Sequence, residues 1–126
     1  MKTLNIPEGY QQVMPYLIIE NAAAFMEFTQ KVLGAEEKQK HMRDEKLIMH
    51  AEISIGSSVI MFADATETYA KRPAGMFVYV ADCDAVYNNA LANGATSVNE
   101  PANQDYGRSA GIRDPFGNTW WLTSVS

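Results

Sequence analysis

The stretch that decides the fold runs from Gly111 to Thr123 and reads G-I-R-D-P-F-G-N-T-W-W-L-T. Four residues at its centre favour a turn: Asp114, Pro115, Gly117 and Asn118. Proline restricts the backbone φ, glycine accepts positive φ, and Asp and Asn side chains bond nearby backbone groups. Aromatic and β-branched residues follow at once, as is typical of a strand. The stretch therefore predicts a tight turn that leads into a last strand over residues 119–125.

The same order of features occurs earlier in the chain, where Gly56-Ser57-Ser58 precedes the apolar run Val59-Ile60-Met61-Phe62. Each of these pieces lies downstream of an apolar strand pattern and of a helical pattern that ends at a Leu-Gly or Asn-Gly pair. The sequence therefore predicts two copies of one β-α-β-β-β unit, over residues 10–64 and 74–125, and an α+β fold class.

Three segments carry a resemblance to a known family: P-Y-L-I-I-E-N-A-A-A-F-M-E-F from Pro15, I-M-H-A-E-I-S-I-G-S-S-V-I-M-F-A-D from Ile48, and D-P-F-G-N-T-W-W from Asp114. Together they resemble the vicinal oxygen chelate superfamily, which includes glyoxalase I, bleomycin-resistance proteins and extradiol dioxygenases, and within it the PhnB-like branch. The resemblance implies one glyoxalase-like domain over residues 1–126. Its two units would close a curved mixed sheet around a cavity, in a homodimer.

Composition narrows the classes of partner. The chain has 126 residues, enough for one compact domain. Its 15 acidic and 10 basic residues give a net charge of −5 without a Lys/Arg cluster, so we expect no nucleic-acid partner. No signal peptide and no long apolar run is evident, so we expect a cytoplasmic protein with no membrane partner. Cys83 is the single cysteine and predicts neither an internal disulfide nor a cysteine metal cluster.

The first unit is predicted to begin with a strand over residues 13–20, in which Pro15 indicates an edge or a bulge because it has no backbone donor. Asn21 then caps a helix that Gly34 ends. A charged, solvent-exposed strand or connection is predicted over residues 36–43, and a solvated role is expected for its histidine, His41.

A hairpin is predicted next, because apolar and polar residues alternate from Met49 to Ile55. One face carries Met49, Ala51, Ile53 and Ile55, and the other carries His50, Glu52 and Ser54. A two-residue turn at Gly56-Ser57 would pair Ile53 with Ile60 and Glu52 with Met61. The apolar face would then meet the helix, and the polar face would line the concave side of the sheet.

The second unit is predicted to start with a strand over residues 75–81. A helix follows, which Asp82 or Asp84 caps and Gly94 ends. Residues 99–107 contain a proline and show no periodicity, so they are predicted to form a loop near the mouth of the cavity.

Catalytic members of the superfamily that the chain resembles hold a divalent metal with four side chains. By that resemblance the four positions fall on Met14, Met61, Met76 and Trp121. A hard cation needs oxygen or nitrogen donors, and methionine is first of all a filler of irregular gaps in cores. We therefore expect no metal and no cofactor, and an apolar cavity floor in place of the coordination centre.

Two polar residues remain on the presumed cavity face. His50 and Glu52 are the candidate catalytic residues, because a histidine or carboxylate in an apolar surround can acquire a shifted pKa. A structural or binding role for the pair is the alternative.

Trp121 is predicted to line the cavity and Trp120 the core, since neighbours in a strand point to opposite faces. Arg113 is expected to pair with Asp114. The predicted ligand-binding residues are Tyr16, His50, Glu52, Met14, Met61, Met76 and Trp121.

Three functions stay open from the sequence. The first is binding of a small, partly apolar molecule without a conventional metal site. The second is an enzyme, either a metal-dependent lyase, isomerase or dioxygenase or a metal-free acid/base enzyme. The third is an interaction module with a filled cavity. Whether the protein is an enzyme is not decided by the sequence.

Overall fold

The structure is a computed structural model that describes residues 2–125. It contains eight strands and two helices, which in chain order are β1 (Tyr16–Ile19), α1 (Ala22–Leu33), β2 (Glu36–Met42), β3 (Ile48–Ile55), β4 (Ser58–Asp64), β5 (Gly75–Tyr79), α2 (Cys83–Ala92), β6 (Thr96–Gln104), β7 (Gly107–Arg113) and β8 (Thr119–Ser124).

The strands form two sheets of four, in the orders β1-β4-β3-β2 and β5-β8-β7-β6. In each sheet the first pair is parallel and the other pairs are antiparallel. The α+β class with two βαβββ units is confirmed. β1 is an edge strand, as Pro15 indicated, although it is shorter than predicted. No helix among residues 2–125 is long and apolar enough to cross a membrane.

Helix α1 begins and ends where the sequence predicted. The side chain of Asn21 accepts from the backbone N–H of Ala24, and Gly34 follows the helix in the left-handed region with φ 66°. A buried carboxylate also holds the start of this helix. Asp64, at the end of β4, accepts from the N–H of Ala22 at 2.9 Å and from the N–H of Ile48 at 2.7 Å.

Helix α2 is held in a related way. Asp82, rather than Asp84, is the capping residue, and its carboxylate accepts from the N–H of Ala85. The hydroxyl of Ser124, at the end of β8, accepts from the N–H of Cys83 at 3.2 Å. In both units, therefore, the last residue of the last strand supplies an acceptor to the start of that unit's helix.

One apolar core joins the two units. Phe25 of α1 makes edge-to-face contacts with Phe62 of β4 and with Phe116, which comes from the turn before β8. The turn itself is organised by Asp114, a buried residue whose carboxylate accepts from four donors. These are the backbone N–H groups of Phe116 and Asn118, the side-chain amide of Asn118 and the indole N–H of Trp120. The expected pair with Arg113 is not formed, because Asp114 points inward and Arg113 is exposed.

The central hairpin has the predicted turn and register, with Glu52 opposite Met61 and Ile53 opposite Ile60. One residue of β3 was placed on the wrong face. Met49 is exposed and Ile48 is buried in its stead. The reason is a register irregularity between β2 and β3, where His41 pairs with His50 but Met42 pairs with Ile48.

The predicted loop at residues 99–107 is wrong. Most of it belongs to β6, which pairs with β7 as far as Gln104. β6 is the outer strand of its sheet, so it tolerates Pro101, which has no backbone N–H to donate. The register of β6 and β7 shifts on both sides of Asn99, and the second shift spans Pro101. Since nearly every residue of this strand is exposed, it shows no apolar alternation.

Candidate functional site

A chain of hydrogen bonds crosses the face of the first sheet that points away from α1. The hydroxyl of Tyr16 lies 3.0 Å from Nδ1 of His50, and Nε2 of His50 lies 2.7 Å from the carboxylate of Glu52. Tyr10 donates to the same carboxylate at 2.6 Å, and the side-chain amide of Gln39 donates to the Tyr10 hydroxyl at 3.0 Å. The i, i+2 spacing of His50 and Glu52 on β3 puts both side chains on this face.

Glu52 is an anion in this chain. Its side chain is only 5% exposed. Burial by itself would raise its pKa, but the hydrogen bonds from Tyr10 and His50 and the nearby positive charge together outweigh burial, so the pKa of Glu52 lies below its usual value. A carboxylate accepts only, so it requires a proton on Nε2 of His50. In the neutral ring, Nδ1 is then the acceptor for the Tyr16 hydroxyl.

The two tyrosines are donors. Burial, followed by the charge of Glu52, raises the pKa of Tyr16. The hydrogen bond to Glu52 is the main reason that the pKa of Tyr10 is raised. Both phenols therefore keep their protons at neutral pH. Tyr16 is nearly half exposed, so its hydroxyl can be reached by a ligand.

Methionines form the apolar part of the site. Met14 and Met61 line, together with Glu52, a cavity of about 380 Å³. The segment that precedes β1 forms its other wall through Leu4, Ile6, Pro7, Tyr10, Gln11 and Gln12. This cavity thus combines two predicted ligand-binding methionines with Glu52, whereas His50 does not line it.

Trp121 belongs to a separate cavity on the second sheet. Its neighbour Trp120 is buried in the core, so the predicted opposite orientation of the two indoles is confirmed. Trp121 lines a cavity of about 530 Å³ with residues of β6 and β7. Phe77 is its partner on β5 and is also exposed. Trp121 does not share the cavity of Glu52 within one chain.

Met76 lies apart from both cavities. It pairs with Trp120, not with Trp121, and it packs against the core. Neighbouring residues of a strand alternate between faces, so Met76 and Trp121 point to opposite sides of the second sheet. Within the chain, Met76 instead lines a cleft of about 520 Å³ between the two sheets.

The residues present do not fit the divalent metal that catalytic members of the resembled superfamily hold. Among residues 2–125, no three His, Cys, Asp or Glu side chains are grouped so that they could hold an ion. Met14, Met61 and Trp121 offer no hard donor, and both oxygens of Glu52 already have protein partners. No chemistry at this site is therefore derived from a metal.

Sequence reasoning missed Tyr10, Gln39 and the role of His41. Tyr10 lies in a polar lead-in without periodicity, and no local signal connects it to Glu52. His41 is exposed, as expected, but its Nε2 lies 2.9 Å from Oε1 of Gln39 and its ring stacks at 6.3 Å from that of His50. It therefore extends the hydrogen-bonded chain at its outer edge.

Comparisons with known proteins agree with this architecture. An uncharacterized protein of Mycobacterium tuberculosis (strain H37Rv) is 28% identical over 120 residues, which cover 86% of this chain and 71% of that protein. The crystal structure of TioX from Micromonospora sp. ML1 superposes with a TM-score of 0.73 at 20% identity and covers 92% of this chain and 97% of TioX. A PhnB protein from Bacillus cereus gives a TM-score of 0.71 at 16% identity, over 91% of this chain and 100% of its own.

The two structures share the fold with this chain, and their low identity carries no activity over to it. The model of the Glyoxalase/Bleomycin resistance protein/Dioxygenase superfamily matches residues 9–122, nearly the whole chain. The chain, which has two βαβββ units, therefore belongs to the glyoxalase/bleomycin resistance/dioxygenase superfamily.

Proposed function

We propose that the protein binds a small, partly apolar molecule on the outer face of the first sheet, without a conventional metal site. The observation that supports this most is the composition of the cavity around Glu52. One buried carboxylate lies among Met14, Met61 and the apolar residues of the preceding segment. An apolar pocket with a few fixed polar groups is the usual form of a small-molecule site.

A homodimer is part of this proposal. Exposed aromatic residues on the outer face of the second sheet, Phe77, Tyr79 and Trp121, would gain from burial against a second copy. A partner could also complete either cavity, since each one is open in the single chain.

The PhnB-like branch and a cytoplasmic location belong to the same proposal. The branch is supported by the likeness to the Bacillus cereus protein.

A metal-free acid/base enzyme is the second candidate, and the chain of Tyr16, His50 and Glu52 favours it. A carboxylate that orients a histidine, which in turn accepts from a hydroxyl, is the arrangement that activates a hydroxyl group in many enzymes. His50→Ala and Glu52→Ala would abolish turnover in that case. Met61→Ala, in the wall of the Glu52 cavity, would weaken binding most if sequestration of an apolar ligand is the function.

Native mass spectrometry of the purified protein tests the proposal. We expect a dimer that retains no metal after exposure to Ni²⁺, Zn²⁺ or Mn²⁺. We also expect it to bind an apolar probe such as naphthalene, with shifts of the amide NMR signals of Met14, Glu52 and Met61, which line the cavity. A stoichiometric metal adduct would contradict the metal-free site. Failure of naphthalene, up to its solubility limit in water, and of more soluble apolar probes to bind would contradict the binding function.

A further inference from the structure

Tyr10 has a partner for each chemical feature of its phenol. Its hydroxyl donates to Glu52 at 2.6 Å and accepts from the amide of Gln39 at 3.0 Å. The ammonium of Lys38 lies 4.7 Å from the centre of the ring, in a cation–π contact. Three side chains of the first sheet therefore contact one phenol: Glu52 accepts its proton in a hydrogen bond, Gln39 donates to its oxygen, and Lys38 lies over the negative face of its ring.

The phenol comes from a segment that is weakly attached to the rest of the chain. Residues 2–15 contain no strand or helix. Besides Tyr10, the side chain of Gln11 ties the segment to the hairpin turn, through the carbonyl of Ser57 and the N–H of Val59. Leu4 and Ile6 remain exposed. Segments with few buried contacts open locally at low cost in free energy.

We propose that Tyr10 is an internal ligand, and that the Glu52 site takes a small neutral phenol whose hydroxyl replaces that of Tyr10 and displaces residues 2–12. This inference rests on the proposed binding function and names the ligand class. Of the residues that line the adjacent cavity, Met14, Glu52 and Met61 stay in place when residues 2–12 leave, so the two methionines remain to contact an apolar ring substituent.

The same three contacts disfavour other ligand classes. An ammonium group cannot accept from Gln39 and would be repelled by Lys38. A carboxylate would meet the anionic carboxylate of Glu52. An aryl ether has the ring and the acceptor but no proton to donate, so it would leave Glu52 without its second partner.

Tyr10 competes with any free phenol because it is part of the chain. A tethered group has an effective concentration in the millimolar range, so a free phenol binds the unmodified protein weakly. Tyr10→Phe removes the competing hydroxyl and leaves Glu52 short of one donor. We expect this variant to bind p-cresol with a Kd about tenfold lower, equivalent to about one lost hydrogen bond.

The experiment is a titration with p-cresol, followed by ¹H–¹⁵N NMR, of the unmodified protein, Tyr10→Phe and Glu52→Gln. 4-Methylanisole is the matched ligand, and Tyr106→Phe, which alters an exposed tyrosine at the other cavity, is the matched variant. We expect binding to move the amide signals of residues 2–12 towards those of an unstructured chain. 4-Methylanisole should bind at least tenfold more weakly than p-cresol. Tyr106→Phe should bind both ligands as the unmodified protein does. Glu52→Gln should lose the preference for p-cresol over 4-methylanisole.

Equal affinity of Tyr10→Phe for the two ligands would overturn the inference, as would p-cresol binding that leaves residues 2–12 in place. If p-cresol does not bind but naphthalene still shifts the amide signals of Met14, Glu52 and Met61, the internal-ligand inference is wrong and the binding function stands. If neither probe binds, both are wrong.

Discussion

The indole of Trp121 lies against Gly111, its partner on the neighbouring strand β7. A β-carbon added to Gly111 would come within 2.6 Å of Cζ3 and 2.9 Å of Cε3 of that ring. Such approaches do not occur between real side chains, so the absence of a side chain at position 111 determines where the ring can lie. The flat surface of the second cavity therefore depends on a glycine as much as on the tryptophan.

Gly111→Ala should push the Trp121 ring out of its place, because the ring is partly exposed and can rotate away. We expect a change in the near-UV circular dichroism of tryptophan and a loss of about 1–3 kcal/mol in the free energy of unfolding. Gly75→Ala is the matched control, since its β-carbon would meet no atom within 4 Å. Equal behaviour of the two variants would contradict this account.

Asp114→Ala should destabilise the protein strongly, because it leaves four buried or partly buried donors without their acceptor. We expect a loss of about 3–4 kcal/mol in urea unfolding. Arg113→Ala should cost less than about 0.5 kcal/mol, as surface substitutions usually do. A comparable loss of stability in both variants would contradict this account and support the Arg113–Asp114 pair that was expected from the sequence.

Glu52 should make stability depend on pH. Its pKa in the folded protein is lowered from the usual 4.5, so its charge contributes stability above that value, and the contribution is lost as pH falls through the folded pKa. The difference in unfolding free energy between the unmodified protein and Glu52→Gln should therefore be largest at neutral pH and shrink below about pH 4.5. Urea unfolding from pH 7 to pH 3 measures it. A constant difference for Glu52→Gln across this pH range would refute the lowered pKa.

Asp64→Ala should cost more stability than Ser124→Ala. The Asp64 carboxylate is buried and serves two backbone N–H groups, whereas Ser124 serves one. We expect losses of about 2–3 kcal/mol and about 1 kcal/mol, respectively, in urea unfolding. The opposite order would show that the two acceptors do not play related parts in the two units.

Local sequence signals were sufficient to predict much of the fold. Asn21 and Gly34 define α1 because capping depends on residues within one turn of the helix. Gly56 and Ser57 define the register of the central hairpin, since a two-residue turn leaves one pairing in which the apolar face is continuous. The opposite orientation of Trp120 and Trp121 follows from the strand period alone.

The errors have non-local causes. β6 is ordered by pairing with β7, and an exposed edge strand that contains Pro101 gives no periodic signal. Met49 is exposed because β2 and β3 shift register beside it. Tyr10 reaches Glu52 across 42 positions of sequence, and only the folded chain shows that the lead-in lies on the polar face of the sheet.

The carboxylate of Asp64 also orders events during synthesis of the chain. Helix α1 leaves the ribosome first, and the strand that contains Ile48 follows it. The N–H groups of Ala22 and Ile48 gain their common acceptor only after residue 64 has left the ribosome. Until then, the first turn of the helix has only Asn21 as a side-chain acceptor among its described contacts. A nascent chain that ends before position 64 lacks this common acceptor, and we expect the first unit to become more resistant to proteases once β4 has left the ribosome.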